Sequence, residues 1–344
     1  MSLRFAKIAQ LDPLRAIAAI MVMLQHFLPH YGIGHLPYGR VGVDLFFVIS
    51  GFLITGILLQ QKEAIPDRVL LVRNFIIKRA LRLFPAYYLV VTLFAVLQAT
   101  TGLWSWDKGE GIFYFTYTTN FLFYSKGFGS GQLNHVWSLA VEEQFYLIWP
   151  WLVLFLNGRT LSRLVLVLVV ISFIMKCLIA DPALRMLTSS HFDTLGCGAL
   201  MAYHRQQASP IWAHVRTYAD RYILLSTAGL AACALGYRTG VLETTAVLLF
   251  SVGLVAGAVQ GFAGPFGKLL SVAWLGHLGK ISYGLYLYHK LLPEPVDILL
   301  ERIGMEPPRV VLLMAVTVLT IITAHLSYVL LERPFLRLKE RFDL

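Results

Sequence analysis

The chain has 344 residues, of which 57% are hydrophobic and 14% charged, with a mean hydropathy of +0.67. Soluble domains carry roughly 25% charged residues, so there are too few charges here to cover soluble surfaces on a chain of this length. A formal net charge of +10 can signal nucleic acid, anionic lipid or an anionic small molecule; the apolar bulk excludes nucleic acid, and the Lys and Arg residues fall in short loops, as they do on the cytoplasmic side of membrane proteins.

A membrane helix needs about 20 residues to cross roughly 30 Å of hydrocarbon. In chain order the candidate spans are 11–30, 41–60, 85–101, 136–156, 161–180, 191–203, 223–237, 241–260, 273–292 and 310–331. The apolar segment 112–124 is too short to cross and reads as re-entrant or interfacial. With the N-terminus inside, ten spans place the basic groups Arg73–Arg82, Arg159–Arg163, Arg205–Arg221 and Arg333–Arg341 on the cytoplasmic side. Counting an eleventh span would put the last three groups outside. The expectation is therefore an all-α, polytopic membrane protein of ten spans, one domain over residues 1–344, with both termini cytoplasmic. The first apolar run contains Arg15 and His26 and no small-residue cleavage pattern, so it reads as a retained helix rather than a cleaved leader.

That first span holds two ionisable groups. Arg15 and His26 are eleven residues apart, about three helical turns and roughly 16 Å, so they project from nearly one face. Ionisable residues at membrane depth are costly and normally face a protein interior or a wet cavity. Arg15 either snorkels or lines the inner mouth; His26 either satisfies a core hydrogen bond or serves as a general base. In the second span Asp44 either caps its helix or orients a histidine across a site. The run Phe75–Phe84 (FIIKRALRLF) is amphipathic and cationic, as a helix lying on the cytoplasmic interface would be. Its Arg79 and Arg82 share a face and suit either inner-leaflet lipid or a phosphate-bearing ligand.

The densest polar segment is HVWSLAVEEQFYLIWP, residues 135–150. His135, Ser138, Glu142 and Glu143 sit at or inside the outer end of a span, with Trp137, Phe145, Tyr146 and Trp149 as aromatic faces. His135, Trp137, Ser138 and Tyr146 are the candidate acceptor-binding residues. Asp193 and His289 are weaker candidates, each with an equally good role at a helix end or interface. The three cysteines (Cys177, Cys197, Cys233) lie in apolar runs without a CxxC pair or a Cys/His cluster, so no metal site is expected. HExxH, GxSxG and GxGxxG are absent, and GPFGKLL lacks the first Gly and the Ser/Thr of a P-loop.

The segments LDPLRAIAAIMVMLQH, GVDLFFVISGFLI, KRALRLFPAYY, HVWSLAVEEQFYLIWP, ISYGLYLYH and LERPF, in this order along nearly the whole chain, resemble the acyltransferase 3 family. The resemblance implies transfer of an acyl group, usually acetyl from acetyl-CoA, to a hydroxyl of a sugar or glycan: lipopolysaccharide O-antigen, peptidoglycan, exopolysaccharide, Nod factors or macrolide sugars. It implies a multi-pass protein of the bacterial inner membrane with a glycan or glycolipid acceptor and membrane lipid as partners. The family's Arg-x10-His falls on Arg15 and His26, the glutamate of its WSLxxE on Glu142, and its basic motif on Arg79 and Arg82. Glu143 lies outside the pattern. The SGNH hydrolase-like domain appended in some members has no counterpart in these residues.

From these residues and the resemblance comes one expected arrangement. Arg15, Arg79 and Arg82 hold the phosphates of an acyl-CoA on the inner side, and His26 takes the acceptor's proton. Glu142 or Asp44 steadies the other imidazole nitrogen, and either direct transfer or an acyl-His intermediate fits. Two other function classes are a secondary transporter, for which no inverted repeat is visible, and a non-enzymatic assembly partner, which leaves the His and Glu groups without purpose.

Overall fold

The computed structural model describes residues 8–30, 38–101, 106–107, 109–127, 131–179, 181–237 and 239–342, and among these it is all helix, without a strand. The helices run α1 Leu11–His30, α2 Tyr38–Ala64, α3 Arg68–Thr101, α4 Gly111–Phe115, α5 Thr119–Lys126, α6 Trp137–Phe155, α7 Gly158–Leu178, α8 Phe192–Gln206, α9 Pro210–Thr217 and α10 Ala219–Ala234. They continue as α11 Gly240–Gln260, α12 Gly264–Leu270, α13 Ala273–Lys280, α14 Ser282–Tyr288, α15 Pro293–Arg302, α16 Arg309–Ser327 and α17 Arg333–Leu338. Helix is what a segment in hydrocarbon must adopt, because every backbone N–H and C=O needs a partner within the segment.

Among the described residues six helices are long and apolar enough to cross a bilayer: α1, α2, α3, α7, α11 and the run Arg309–Leu338. This is fewer than the ten spans read from sequence. Helices α8 and α10 have 15 and 16 residues. The expected span 273–292 is broken at Ile281 into α13 and α14 and ends in the 3-10 turn His289–Leu291. The last span passes through a π-turn at Tyr328–Glu332. The segment 112–124 forms the two short helices α4 and α5, joined through Tyr117.

A second correction concerns Phe75–Phe84. It is not a separate interfacial helix but part of α3, which continues through Pro85. The reason is one continuous buried face: Leu71, Val72, Phe75, Leu83, Ala86, Tyr87 and Val90 pack inward on both sides of the proline.

Helix α2 is the centre of the bundle and packs on α1, α8, α11 and α6, while α7 and α16 are peripheral. The α2–α8 crossing depends on two glycines. A Cβ at Gly51 would lie 2.0 Å from the Leu195 carbonyl oxygen, and one at Gly198 would lie 2.2 Å from that of Val48. Small residues let helix backbones approach closely where lipid tails give no net hydrophobic drive to associate. Fixing α2 against α1 and α8 in this way holds Asp44, Ser50 and His26 over the interior spaces described next.

Candidate active site

Two cavities lie against each other inside the bundle and share Val43 and Tyr286 as a common wall. The first is lined by Arg15 from α1, Arg79 and Arg82 from α3, and Ser138, Glu142 and Tyr146 from α6. The second is lined by His26, Asp44, His135, Trp137, Lys176, Arg185 and His191. Arg15 and His26 thus serve different chambers from one helix, as their three-turn spacing allows.

The guanidinium chamber is short of negative charge. None of Arg15, Arg79 and Arg82 has a hydrogen-bond or ion-pair partner among the described residues, and the Arg15 Nε is sealed from solvent. Arg79 lies over two rings instead, 5.4 Å from the Phe75 centroid and 5.2 Å from that of Tyr146. The one carboxylate in the lining, Glu142, accepts a hydrogen bond from the Ser50 hydroxyl at 2.9 Å. Tyr146 donates to the same Ser50 oxygen at 3.4 Å. Buried cations without partners are costly, so this lining is complementary to an anion.

The imidazole chamber is organised around three histidine rings. His289 Nδ1 lies 2.7 Å from the Tyr286 carbonyl oxygen, which only accepts, so this nitrogen carries the proton. His289 Nε2 then offers a lone pair, and His26 Nδ1 lies 3.0 Å from it. His26 Nδ1 is also 3.0 Å from the Val22 carbonyl oxygen. With two acceptors facing it, His26 Nδ1 holds its proton, which leaves Nε2 as the basic nitrogen. This is the base-plus-orienter arrangement, with a second imidazole and a backbone carbonyl as the orienting groups.

That geometry corrects the expected orienter. Glu142 lines the other chamber, bound to Ser50. Asp44 lines the imidazole chamber but faces Lys176 at 4.0 Å, His191 Nδ1 at 3.8 Å and Arg40 at 3.8 Å, not His26. Lys176 pairs with Asp193 at 2.8 Å, and Arg40 with Glu243 at 2.6 Å. His289, read from sequence as a weaker candidate with an equally good place in the interface, is the one that touches His26. It closes a stretch in which every residue from Ser282 to Tyr288 is buried, and a polar ring at the end of such a run is the signal that marks it.

The expected acceptor-binding set also divides. His135 and Trp137 line the imidazole chamber, with Trp137 and His191 ring centroids 5.3 Å apart. The two His135 nitrogens face the carbonyls of Gln132 and Leu287, each at 3.2 Å, and a neutral ring donates to one of them. His135 is therefore a wall residue of the chamber. Ser138 and Tyr146 belong to the guanidinium chamber. The Ser138 hydroxyl meets the Tyr286 hydroxyl at 2.5 Å, and Tyr286 donates to the His135 carbonyl at 2.9 Å, which ties down the wall between the chambers.

The model of the acyltransferase domain matches residues 8–329. Among characterised and putative proteins, the chain is 32% identical to the peptidoglycan O-acetyltransferase OatA of Listeria monocytogenes serovar 1/2a (strain ATCC BAA-679 / EGD-e) over 95% of its own length and 55% of the relative's. It is 31% identical to the putative peptidoglycan O-acetyltransferase YrhL of Bacillus subtilis (strain 168), over 94% of this chain and 54% of that one. It is 29% identical to the putative O-acetyltransferase SACOL0978 of Staphylococcus aureus (strain COL), over 94% and 56%. The chain therefore spans about half the length of the curated relatives it matches. No solved structure matches it. With a family model covering nearly all of it, and Arg15, His26 and Glu142 placed in paired chambers, the chain belongs to the acyltransferase 3 family.

Proposed function

We propose that the protein is an O-acyltransferase of the bacterial membrane that moves an acyl group, acetyl in the first instance, from acyl-CoA to a hydroxyl of a cell-wall glycan. The observation that carries this reading is the set of three guanidiniums without partners in a chamber that shares a wall with the His26 base. Arginine forks match phosphate oxygens bidentately, and CoA carries phosphates at the end of an arm long enough to cover the roughly 16 Å between Arg15 and His26. The names of the relatives favour peptidoglycan as acceptor over lipopolysaccharide O-antigen or exopolysaccharide.

In this mechanism Arg15, Arg79 and Arg82 hold the donor's phosphates, on the cytoplasmic side with both termini. To reach the imidazole chamber the thioester end has to displace Tyr286 from its hydrogen bonds to Ser138 and the His135 carbonyl, which opens the Val43–Tyr286 wall. His26 Nε2 takes the acceptor hydroxyl proton as the oxygen attacks the thioester carbonyl. The C–S bond breaks, and the imidazolium returns its proton to the departing thiolate. His289 and the Val22 carbonyl keep His26 in the required tautomer throughout. Trp137 offers a ring face on which a sugar stacks. Glu142, with Ser50 and Tyr146, balances the guanidiniums and orients them rather than touching the acceptor.

The test is purified protein in proteoliposomes, with labelled acetyl-CoA inside and peptidoglycan fragments outside. Label on the glycan, lost with His26→Ala, supports the reading. Glycan that stays unlabelled in the presence of folded protein sinks it, and movement of a solute without donor turnover would replace it with a transporter.

A further inference from the structure

Attack on a thioester puts negative charge on its carbonyl oxygen, and a pre-placed hydrogen-bond donor at that oxygen is usually the largest single catalytic contribution. The residues assigned so far supply a base and anchors for the donor but no such group. The place to look is the junction of the two chambers, where the thioester meets the base. Among the described residues that junction is Val43 and Tyr286. Val43 has no hydrogen-bonding side chain, so the Tyr286 hydroxyl is the side-chain donor available there.

Tyr286 is held firmly in place. It lies in α14, where every residue from Ser282 to Tyr288 is buried, and its ring meets Phe46 edge-on with centroids 6.2 Å apart. A Cβ at Gly284 would stand 3.1 Å from the Ala324 Cβ, so α14 lies close against α16.

In the closed wall the Tyr286 hydroxyl donates to the His135 carbonyl at 2.9 Å. Its single proton is then used, so the Ser138 hydroxyl at 2.5 Å donates to the Tyr286 oxygen. Ser138 Oγ is also 3.3 Å from the same His135 carbonyl oxygen. Once the wall opens, Ser138 can turn its proton onto that carbonyl, and both groups left behind stay satisfied. The Tyr286 O–H alone loses its acceptor. A buried donor without a partner is costly, and the group that displaced it carries a carbonyl oxygen.

The backbone of the same residue serves the base. The Tyr286 carbonyl accepts from His289 Nδ1 at 2.7 Å, and His289 Nε2 accepts from His26 Nδ1 at 3.0 Å. One residue thus ties the orientation of the imidazole to the position of the hydroxyl.

We propose that Tyr286 is a catalytic residue whose hydroxyl, released from the wall, donates a hydrogen bond to the thioester carbonyl oxygen. This rests on the acyl-CoA reading given above. As the acceptor oxygen bonds to the carbonyl carbon, the C=O electron pair moves onto oxygen and the acceptor proton goes to His26 Nε2. Tyr286 keeps its proton and only donates. The pair then returns to re-form C=O, the C–S bond breaks, and the thiolate takes the proton from His26. An oxyanion is a stronger acceptor than the thioester carbonyl, so the bond strengthens as the charge develops and favours the transition state over the bound donor.

The test uses the full chain in detergent micelles and a ketone analogue of acetyl-CoA, with a methylene between sulfur and a ¹³C-labelled carbonyl, followed by NMR. Bound to the parent, the carbonyl resonance moves downfield of the free analogue, as hydrogen bonding to oxygen requires. Tyr286→Phe still binds the analogue but returns the resonance to the free position. In the transfer assay the same variant lowers kcat by about 10²–10³-fold without raising donor KM, because the closed wall it would have to break is also weakened. A structural role alone would instead lower the unfolding midpoint or shift both KM values. A bound analogue with an unmoved resonance in the parent, or an unchanged kcat in Tyr286→Phe, overturns the assignment and leaves the transfer reading standing. Failure of the folded parent to bind the analogue overturns the acyl-CoA reading and this assignment with it.

Discussion

The guanidinium and imidazole chambers meet at Val43 and Tyr286 but balance their charges in opposite ways. In the imidazole chamber two of the three lining cations have a carboxylate, while Arg185 forms no ion pair among the described residues: Lys176 has Asp193 at 2.8 Å, and Arg40 has Glu243 at 2.6 Å, with Asp44 4.0 Å from Lys176 and 3.8 Å from Arg40. In the guanidinium chamber the lining shared by Arg15, Arg79 and Arg82 holds one carboxylate, Glu142, and the three form no ion pair among the described residues. With Lys176 and Arg40 paired internally, the imidazole chamber presents the His26 base in a shaped space. The guanidinium lining gains from an anion, because paired charge is far less costly at depth than unpaired charge. On the proposed function, the charged donor belongs to the guanidinium chamber and the uncharged hydroxyl to the imidazole chamber.

The widest break in the comparison comes from the base. His26→Ala removes the only assigned proton acceptor and lowers acyl transfer by about 10²–10⁴-fold, measured as label on glycan, with the unfolding midpoint of the variant held at that of the parent. Next comes Lys176→Met, which leaves Asp193 buried without its cation. Breaking a buried pair costs about 3–5 kcal/mol, so the expected result is a large drop in unfolding midpoint in detergent. An unchanged midpoint would show that the imidazole chamber does not depend on its internal pairing.

The guanidinium side responds differently. Arg79→Gln raises the donor KM by about 10–100-fold, the loss of one charge-assisted hydrogen bond set, while acceptor KM stays put. A rise in acceptor KM instead would exchange the assignments of the two chambers. His289 sharpens the picture on a smaller scale: His289→Gln keeps an acceptor for the His26 N–H and retains most activity, whereas His289→Leu loses about tenfold in kcat, roughly one hydrogen bond's worth of orientation. Equal kcat in both variants would leave the Val22 carbonyl as the sole orienting group. The smallest effect is Trp137→Ala, a few-fold rise in acceptor KM from lost ring stacking of about 1 kcal/mol.

Most of the long helices were legible because their signal is local. Apolar runs of membrane length give α1, α2, α7 and α11 close to the boundaries read from sequence. Where that signal was read too literally it erred: 273–292 breaks at Ile281, and Pro85 neither starts nor ends α3. The ionisable residues were legible for the same reason, since Arg15, His26 and Glu142 stand out against hydrocarbon-like surroundings.

What the sequence determined by itself was therefore membership: an all-helical member of the acyltransferase 3 family with helices of membrane length, an arginine and a histidine on one helix and a carboxylate in the WSLAVEE run. Only the tertiary structure decided the partnerships. It gave His26 to His289, 263 residues away, Glu142 to Ser50, and Asp44 to the Lys176 network. It also set a tied tyrosine between two chambers where the sequence suggested one passage. The physical reason is that spacing along a helix fixes which face a group occupies, while hydrogen bonds at 3 Å depend on which helix is packed against that face, and here the close α2–α8 contact at Gly51 and Gly198 helps to set that packing.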